Sequence, residues 1–269
     1  MTMPDYRIDV LVQGFPGRAV CHGGLGWSTV TLIRGGGRTA LLDVGAFGVR
    51  RELAAQLARL GVAAQDVTDV VLTHAHYDHA VNFTLFPQAT VWIGEAELDW
   101  AAAQPPGFDP LPELYVRELQ ASPRVRRLGD GDECLPGLRA VAAPGHTPGH
   151  LVFPLEGAGT APVLFTGDAA KNRAELIGMR VDASLDHGAS RETLALIWAL
   201  WRAVPGTLLV PGHDLSMWLD ADGQPQYVGE RRAAIAAWFG ENVAESTMID
   251  LCGAPAGGLF RCLVPPVRA

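Results

Sequence analysis

Lysine is almost absent from this sequence of 269 residues. Lys171 is the single lysine among 21 basic residues, and the arginines that make up the rest are spread evenly along the chain, as a coding bias would spread them. With a net charge of -8 and Arg124, Arg126 and Arg127 as the one tight basic cluster, the counterion displacement that general nucleic-acid binding needs has little source. Cysteine is sparse too. Cys21, Cys134, Cys252 and Cys262 stand far apart and form no CxxC pair, which excludes a zinc ribbon and a thioredoxin-like redox motif and suits a reducing compartment. No stretch reaches the roughly 18 consecutive apolar residues of a membrane span. The segment Met1–Val12 is interrupted by Pro4, Asp5, Arg7 and Asp9 and lacks the apolar run of a signal peptide. A cytoplasmic location is expected. Long same-sign runs, internal repeats and low-complexity tracts are missing as well, so the 48% hydrophobic chain reads as one globular domain, 1–269, with one large core.

What is present alternates strand and helix patterns. Arg7–Val12, Ser28–Ile33 and Thr39–Val44 are short β-rich runs, the last two separated by Gly35, Gly36 and Gly37 in the manner of a hairpin. Leu53, Leu57 and Leu60 recur at helical spacing over Val49–Leu60, with Gly61 as the stop. A strand over Asp69–Thr73 runs directly into a histidine cluster. Thr90–Ile93 predicts a strand and Gly94–Ala103 a helix whose first turn carries Glu95 and Glu97, favourable for the dipole. Residues 104–123, with Pro105, Pro106, Pro110 and Pro112 before a helical Glu113–Leu119, look like an insertion and a candidate substrate lid. Strands are expected at Leu138–Ala142, Leu151–Leu155, Val163–Thr166 and Thr207–Val210, and helices at Arg191–Val204 and Gly229–Val243. Strand runs closed by helices, given twice, point to an α/β sandwich of two mixed sheets flanked by helices.

The chemistry is concentrated in four places. Thr73-His74-Ala75-His76-Tyr77-Asp78-His79 packs three imidazoles and a carboxylate into seven positions, all ligand types that suit zinc or another borderline metal. In an extended loop His74 and His76 reach one ion, while Asp78 and His79, after the chain turns, reach a neighbouring one. Pro144-Gly145-His146, Thr166-Gly167-Asp168 and Pro211-Gly212-His213 follow, each after a short apolar strand and each with a glycine that lets the backbone approach closely. Five of the eight histidines fall in these motifs, which core packing does not explain.

HxHxDH, then GHTPGH, then TGD, then PGH, in this order, resembles the metallo-β-lactamase superfamily, over the chain from about Ser28 to His213. The resemblance implies an αββα sandwich with its site at one edge of the two sheets. It implies that His74, His76 and His146 bind one divalent metal ion, that Asp78, His79 and His213 bind a second, and that Asp168 bridges them. Zinc is the expected ion, with manganese, iron or cobalt as alternatives for the same donors. Asp43 matches a carboxylate behind the site that orients ligands, and Asp78 is the candidate proton acceptor. His150 completes GHTPGH but is expected to bond the loop. His22 and His187 have no motif around them.

Two such ions activate water and polarise the attacked bond, so hydrolysis without a protein nucleophile is expected. Asp168 stands where true β-lactamases have Cys or Ser, which sets antibiotic hydrolysis aside. The full ligand set resembles the glyoxalase II, lactonase and RNase Z branches. Against a glyoxalase II thioesterase, no lysine follows His213. Lactonases acting on acyl homoserine lactones often place a Tyr shortly after the bridging Asp, where Ala169-Ala170-Lys171-Asn172-Arg173 stands here. Lys171 is a candidate contact for an anionic substrate group, and Phe83, Phe86, Tyr115 and Trp218 are candidate pocket-lining residues. A small carboxylic ester or lactone is the leading substrate class. A phosphodiesterase or nuclease is the runner-up, followed by a mononuclear iron sulfur dioxygenase and a non-catalytic binding module. Oligomeric state is open, with the insertion or Gly253–Ala269 as possible homodimer contacts.

Overall fold

The computed structural model describes residues 4–19, 25–157 and 161–252. His22 and the 253–269 segment offered as a dimer contact lie outside the described residues. The chain divides into two compact units, residues 1–17 with 26–228, and residues 18–25 with 229–269.

In the larger unit the first half supplies β1 (Arg7–Val12), β2 (Val30–Gly35), β3 (Arg38–Leu42), α1 (Arg50–Arg59), β4 (Asp69–Val71), α2 (Tyr77–Ala80), β5 (Thr90–Gly94), α3 (Glu95–Ala102), α4 (Glu113–Ala121) and β6 (Val125–Leu128). Its six strands pair in chain order, antiparallel from β1 to β3 and parallel from β3 to β6. The second half supplies β7 (Glu133–Leu135), β8 (Leu138–Arg139), β9 (Val141–Ala142), β10 (Leu151–Leu155), β11 (Val163–Gly167), α5 (Arg173–Gly178), α6 (His187–Ala203), β12 (Leu208–Pro211), β13 (Met217–Leu219) and β14 (Pro225–Tyr227). These strands run β14-β13-β12-β11-β10-β8-β7, with β9 also on β10, and β11 and β12 are the parallel pair.

Side-chain alternation along the strands explains the layering. On β4, Val70 packs among Leu53, Leu57 and Leu98 on the helical side, whereas Val71 joins Phe153 and Phe165 between the sheets. On β11, Phe165 faces that same inter-sheet layer, and Leu164 meets Leu194, Ile197 and Trp201 of α6. The result is the expected αββα sandwich. Each fully buried Leu or Phe in these layers stabilises it by about 1.5–3 kcal/mol.

Most elements fall where the sequence places them. Helix α6 begins at His187, earlier than Arg191, because the Asp186 carboxylate caps it by accepting from the N–H groups of Gly188 and Ala189. The expected strand at 138–142 is broken in two at Ala140, whose N–H donates to Asp132 O at 2.7 Å. Residues 104–123 are anchored: Leu111, Val116 and Leu119 are buried in the core. No helix among the described residues is long and apolar enough to cross a membrane.

The smaller unit corrects one expectation. Gly229–Val243 is not a helix; it contains β15 (Ala234–Ala237), paired antiparallel with β16 (Thr247–Asp250). The alanines suggested helix, but exposure alternates residue by residue over β15, which is the period of a strand. The pairing with β16 supplies backbone hydrogen bonds that overrode a weak propensity.

Candidate metal centre

The parallel strands β3, β4, β11 and β12 all end at one edge of the sandwich, and the loops leaving them carry the candidate ligands. Asp43 follows β3, the HxHxDH segment follows β4, Asp168 follows β11 and His213 follows β12. Close approach there demands glycine in PGH: a Cβ on Gly212 would lie 2.4 Å from Asp168 Oδ1.

All seven predicted ligands are brought into one contiguous cluster. Donor atoms of His74, His76 and His146 lie within 4.8 Å of one another, as do those of Asp78, His79 and His213, and those of His74, His79 and Asp168. His146 Nε2 is 3.0 Å from His76 Nδ1, and His79 Nε2 is 3.3 Å from His213 Nε2. Asp168 lies between the two groups. Its Oδ2 is 3.4 Å from His146 Nε2, while its Oδ1 is 3.1 Å from His79 Nε2 and 3.2 Å from His213 Nε2.

The outer ring nitrogens are held by groups behind the cluster. Asp43, in a left-handed conformation with φ of 52°, accepts from Thr73 N–H (2.9 Å), from the Thr73 hydroxyl (2.9 Å) and from His79 Nδ1 (2.8 Å). With its proton given to Asp43, the Thr73 oxygen is left to accept from His74 Nδ1 at 3.0 Å. His146 Nδ1 donates to Ala183 O at 2.9 Å. Each of these contacts turns the ring's Nε2 toward the centre of the cluster. Asp43 was legible from its motif. Thr73, Ala183 and Glu97, which accepts from Ala75 N–H, were not, although Glu97 does stand where a parallel strand gives way to a helix.

The two groups differ electrostatically. Burial pushes His74 and His146 well below the usual imidazole range and His76 down to about 4, so all three rings are neutral with a lone pair to give. Burial also opposes charge on His79 and His213, but the surrounding carboxylates outweigh it: Asp168, Asp78 and Asp43 raise His79, and Asp168 and Asp78 raise His213 to about 9. In return, although burial works the other way, His79 and His213 bring the Asp78 carboxyl down to about 2 and hold that of Asp168 well below its usual range.

The donor set fits a divalent cation. His74 Nε2 is buried without a hydrogen-bond partner, and neutral rings face each other through nitrogens that a bound cation would satisfy together.

Other candidates are placed as follows. His150 accepts from Asp168 N–H at 3.0 Å, the loop bond expected of it. Lys171 is mostly buried at the rim, its ammonium 3.1 Å from Glu175 Oε1 and donating to Asp182 O at 2.6 Å. Phe83 and Phe86 belong to the core, Tyr115 packs edge-on to Phe47 and Phe83, and Trp218 is exposed on β13. His187 is exposed at the start of α6. Arg124 donates to Phe86 O and Ala89 O, and Arg127 pairs with Asp99.

A family model described as the metallo-beta-lactamase superfamily matches residues 23–213. The chain belongs to this superfamily. Among relatives, an N-acyl homoserine lactonase from a Bacillus species is 32% identical over 115 residues, 42% of this chain and 43% of the relative. The match thus spans less than half the length of that lactonase. The N-acyl homoserine lactonase AttM of Azorhizobium caulinodans is 30% identical over 249 residues, 83% of this chain and 88% of AttM. Among solved structures, an N-acyl homoserine lactone hydrolase with N-hexanoyl-L-homoserine at its catalytic metal centre superposes with a TM-score of 0.64 at 16% identity, covering 80% of this chain and 94% of that one. At that identity the likeness is one of fold.

Proposed function

We propose that this superfamily member is a metal-dependent hydrolase that opens a small lactone or cleaves a small carboxylic ester. His74, His76 and His146 would hold one divalent ion, Asp78, His79 and His213 would hold a second, and Asp168 would be shared between them, with zinc as the ion that suits this donor set. The observation that carries this reading is the placement of Asp168, whose two oxygens face different histidine groups. Ions bound there supply Lewis acidity and bring a water molecule's pKa toward neutrality.

The chain's own residues do the rest. Asp43, Thr73 and Ala183 fix ring orientation. Asp78, at 16% exposure the most solvent-reached of the site's carboxylates, is the proton acceptor. Tyr77 N–H donates to Pro110 O at 3.2 Å, which sets the 104–123 segment beside the ligand loop as a wall or lid for substrate. Lys171 offers its remaining ammonium proton to an anionic substrate group.

Lactones are favoured over phosphodiesters on two counts. The relatives named above are lactonases, and Arg124 and Arg127 of the basic cluster are committed to carbonyls and to Asp99. The test is turnover by zinc-loaded protein on a panel of acyl lactones, aryl esters, thioesters and bis-aryl phosphodiesters, followed by acid release. Lactone or ester opening is expected. Turnover confined to phosphodiesters, or a protein that holds one iron and consumes oxygen with a persulfide, would overturn the reading.

A further inference from the structure

Among the described residues, Glu97 is the one fully buried glutamate whose carboxylate holds two of the candidate ligand loops at once. It stands at the third position of α3, directly after β5, and is 0% exposed. Its Oε1 accepts from Ala75 N–H at 2.9 Å, and Ala75 separates His74 from His76. Its Oε2 accepts from the Thr147 hydroxyl at 2.6 Å, and Thr147 follows His146. Gly149 N–H donates to it as well. The loop comes this close because residue 149 is glycine: a Cβ there would lie 2.0 Å from Glu97 N. His74, His76 and His146, the three members of one histidine group, are therefore all carried on segments tied to a single side chain.

The ties are selective. His79 is held by Asp43, and the loop of His213 is held from the other side, where Thr29 donates from its N–H to Gly212 O and from its hydroxyl to Pro211 O. None of these contacts involves Glu97.

All three donors to Glu97 are neutral. Leaving a buried carboxylate with neutral partners is costly, and burial pushes its carboxyl up to about 7 despite those hydrogen bonds. A cation held by the neighbouring histidines would offset that cost, and the same Coulomb attraction works back on the cation.

We propose that Glu97 is a positioning residue for the three-histidine group: it fixes the spacing of the 74–76 and 146–149 loops and raises the affinity of that group, alone of the two, for a divalent cation. The inference rests on the metal-site reading above, and its readout is metal binding, not turnover.

The test is titration of metal-free protein with zinc by calorimetry and chelator competition, with nitrogen NMR of the histidine rings to identify which group fills. In Glu97→Gln, which keeps the size but removes the charge and one acceptor, affinity at the three-histidine group should fall about 10- to 100-fold, the range for loss of a ligand-orienting contact. The rings of His79 and His213 should respond as in the wild type. Thr147→Val should give a smaller loss in the same group, and Thr147→Ser, which restores the hydroxyl, should recover it. Circular dichroism and melting of the metal-free variants check the fold. Wild-type binding at both groups in Glu97→Gln overturns the proposal, as does an equal loss at both groups with a lowered melting temperature. A wild-type protein that takes up no divalent ion sinks this inference together with the metal reading beneath it, whereas metal uptake without lactone or ester turnover removes only the substrate assignment.

Discussion

The two halves of the centre are built on opposite electrostatic plans. His74, His76 and His146 form a group of neutral imidazoles whose facing nitrogens have no carboxylate of their own beyond the shared Asp168. His79 and His213 sit among Asp43, Asp78 and Asp168, and hold a bound proton in the metal-free protein. The second half is balanced by protons when metal is absent, and the first is not. A cation entering the first half finds lone pairs ready, and a cation entering the second must displace protons.

The largest effect is expected where the halves meet. Asp168→Asn removes the one group that faces both, so turnover should drop on the order of 100- to 1000-fold, as for loss of a preorganised electrostatic group, and metal content should fall in both halves. Wild-type turnover would break the bridging assignment. Next comes Asp43→Asn, which disturbs the ring of His79 directly and that of His74 through Thr73, and should weaken metal binding about 10- to 100-fold in the second half and less in the first. Set beside Glu97→Gln, it makes a pair of substitutions whose larger losses fall in opposite halves. If both weaken the same half more, the division is wrong.

Acidity sharpens the comparison further. Asp168 and Asp78 raise His213 to about 9, and the same carboxylates with Asp43 raise His79 above its ordinary value, so the metal-free second half carries a bound proton at neutral pH. That half must shed it to bind zinc. Its affinity should therefore climb with pH up to about 9, by about tenfold per pH unit for each proton displaced. The three-histidine half, with His76 at about 4, should show no such rise above neutrality. Calorimetry in buffers of different ionisation enthalpy counts the protons, and equal release from both halves would contradict the assignment. Smallest is Lys171→Ala, outside both halves. With its ammonium already on Glu175 and Asp182 O, loss of the remaining contact should raise KM for anionic substrates only a few-fold and leave metal content unchanged.

The seven residues that cluster were legible as candidate ligands because each lies in a compact motif at a strand end, where residue type and neighbouring glycine together limit what the position can do. Asp43 was legible for the same reason. Glu97 was not: in Glu95-Ala96-Glu97-Leu98 its spacing is that of an ordinary acidic first turn, and only the packing of α3 against Gly149 turns it inward. Thr73 hides likewise, as one more polar residue at the end of β4, until Asp43 folds over it. The αββα layering was readable from alternating and helical periods, whereas two- and three-residue strands such as β8, β9 and β13 carry too few residues to show a period. Over Gly229–Val243 helical preference and the pairing of β15 with β16 disagreed, and pairing won.

The parts of the centre meet across long stretches of chain. His79 and His213 are 134 residues apart in sequence, and His76 and His146 are 70 apart. No fragment containing a single sheet can assemble the whole cluster, because its two sides are carried on different sheets. A complete set of the seven donors is therefore a mark of two docked sheets, and neither sheet by itself can offer it.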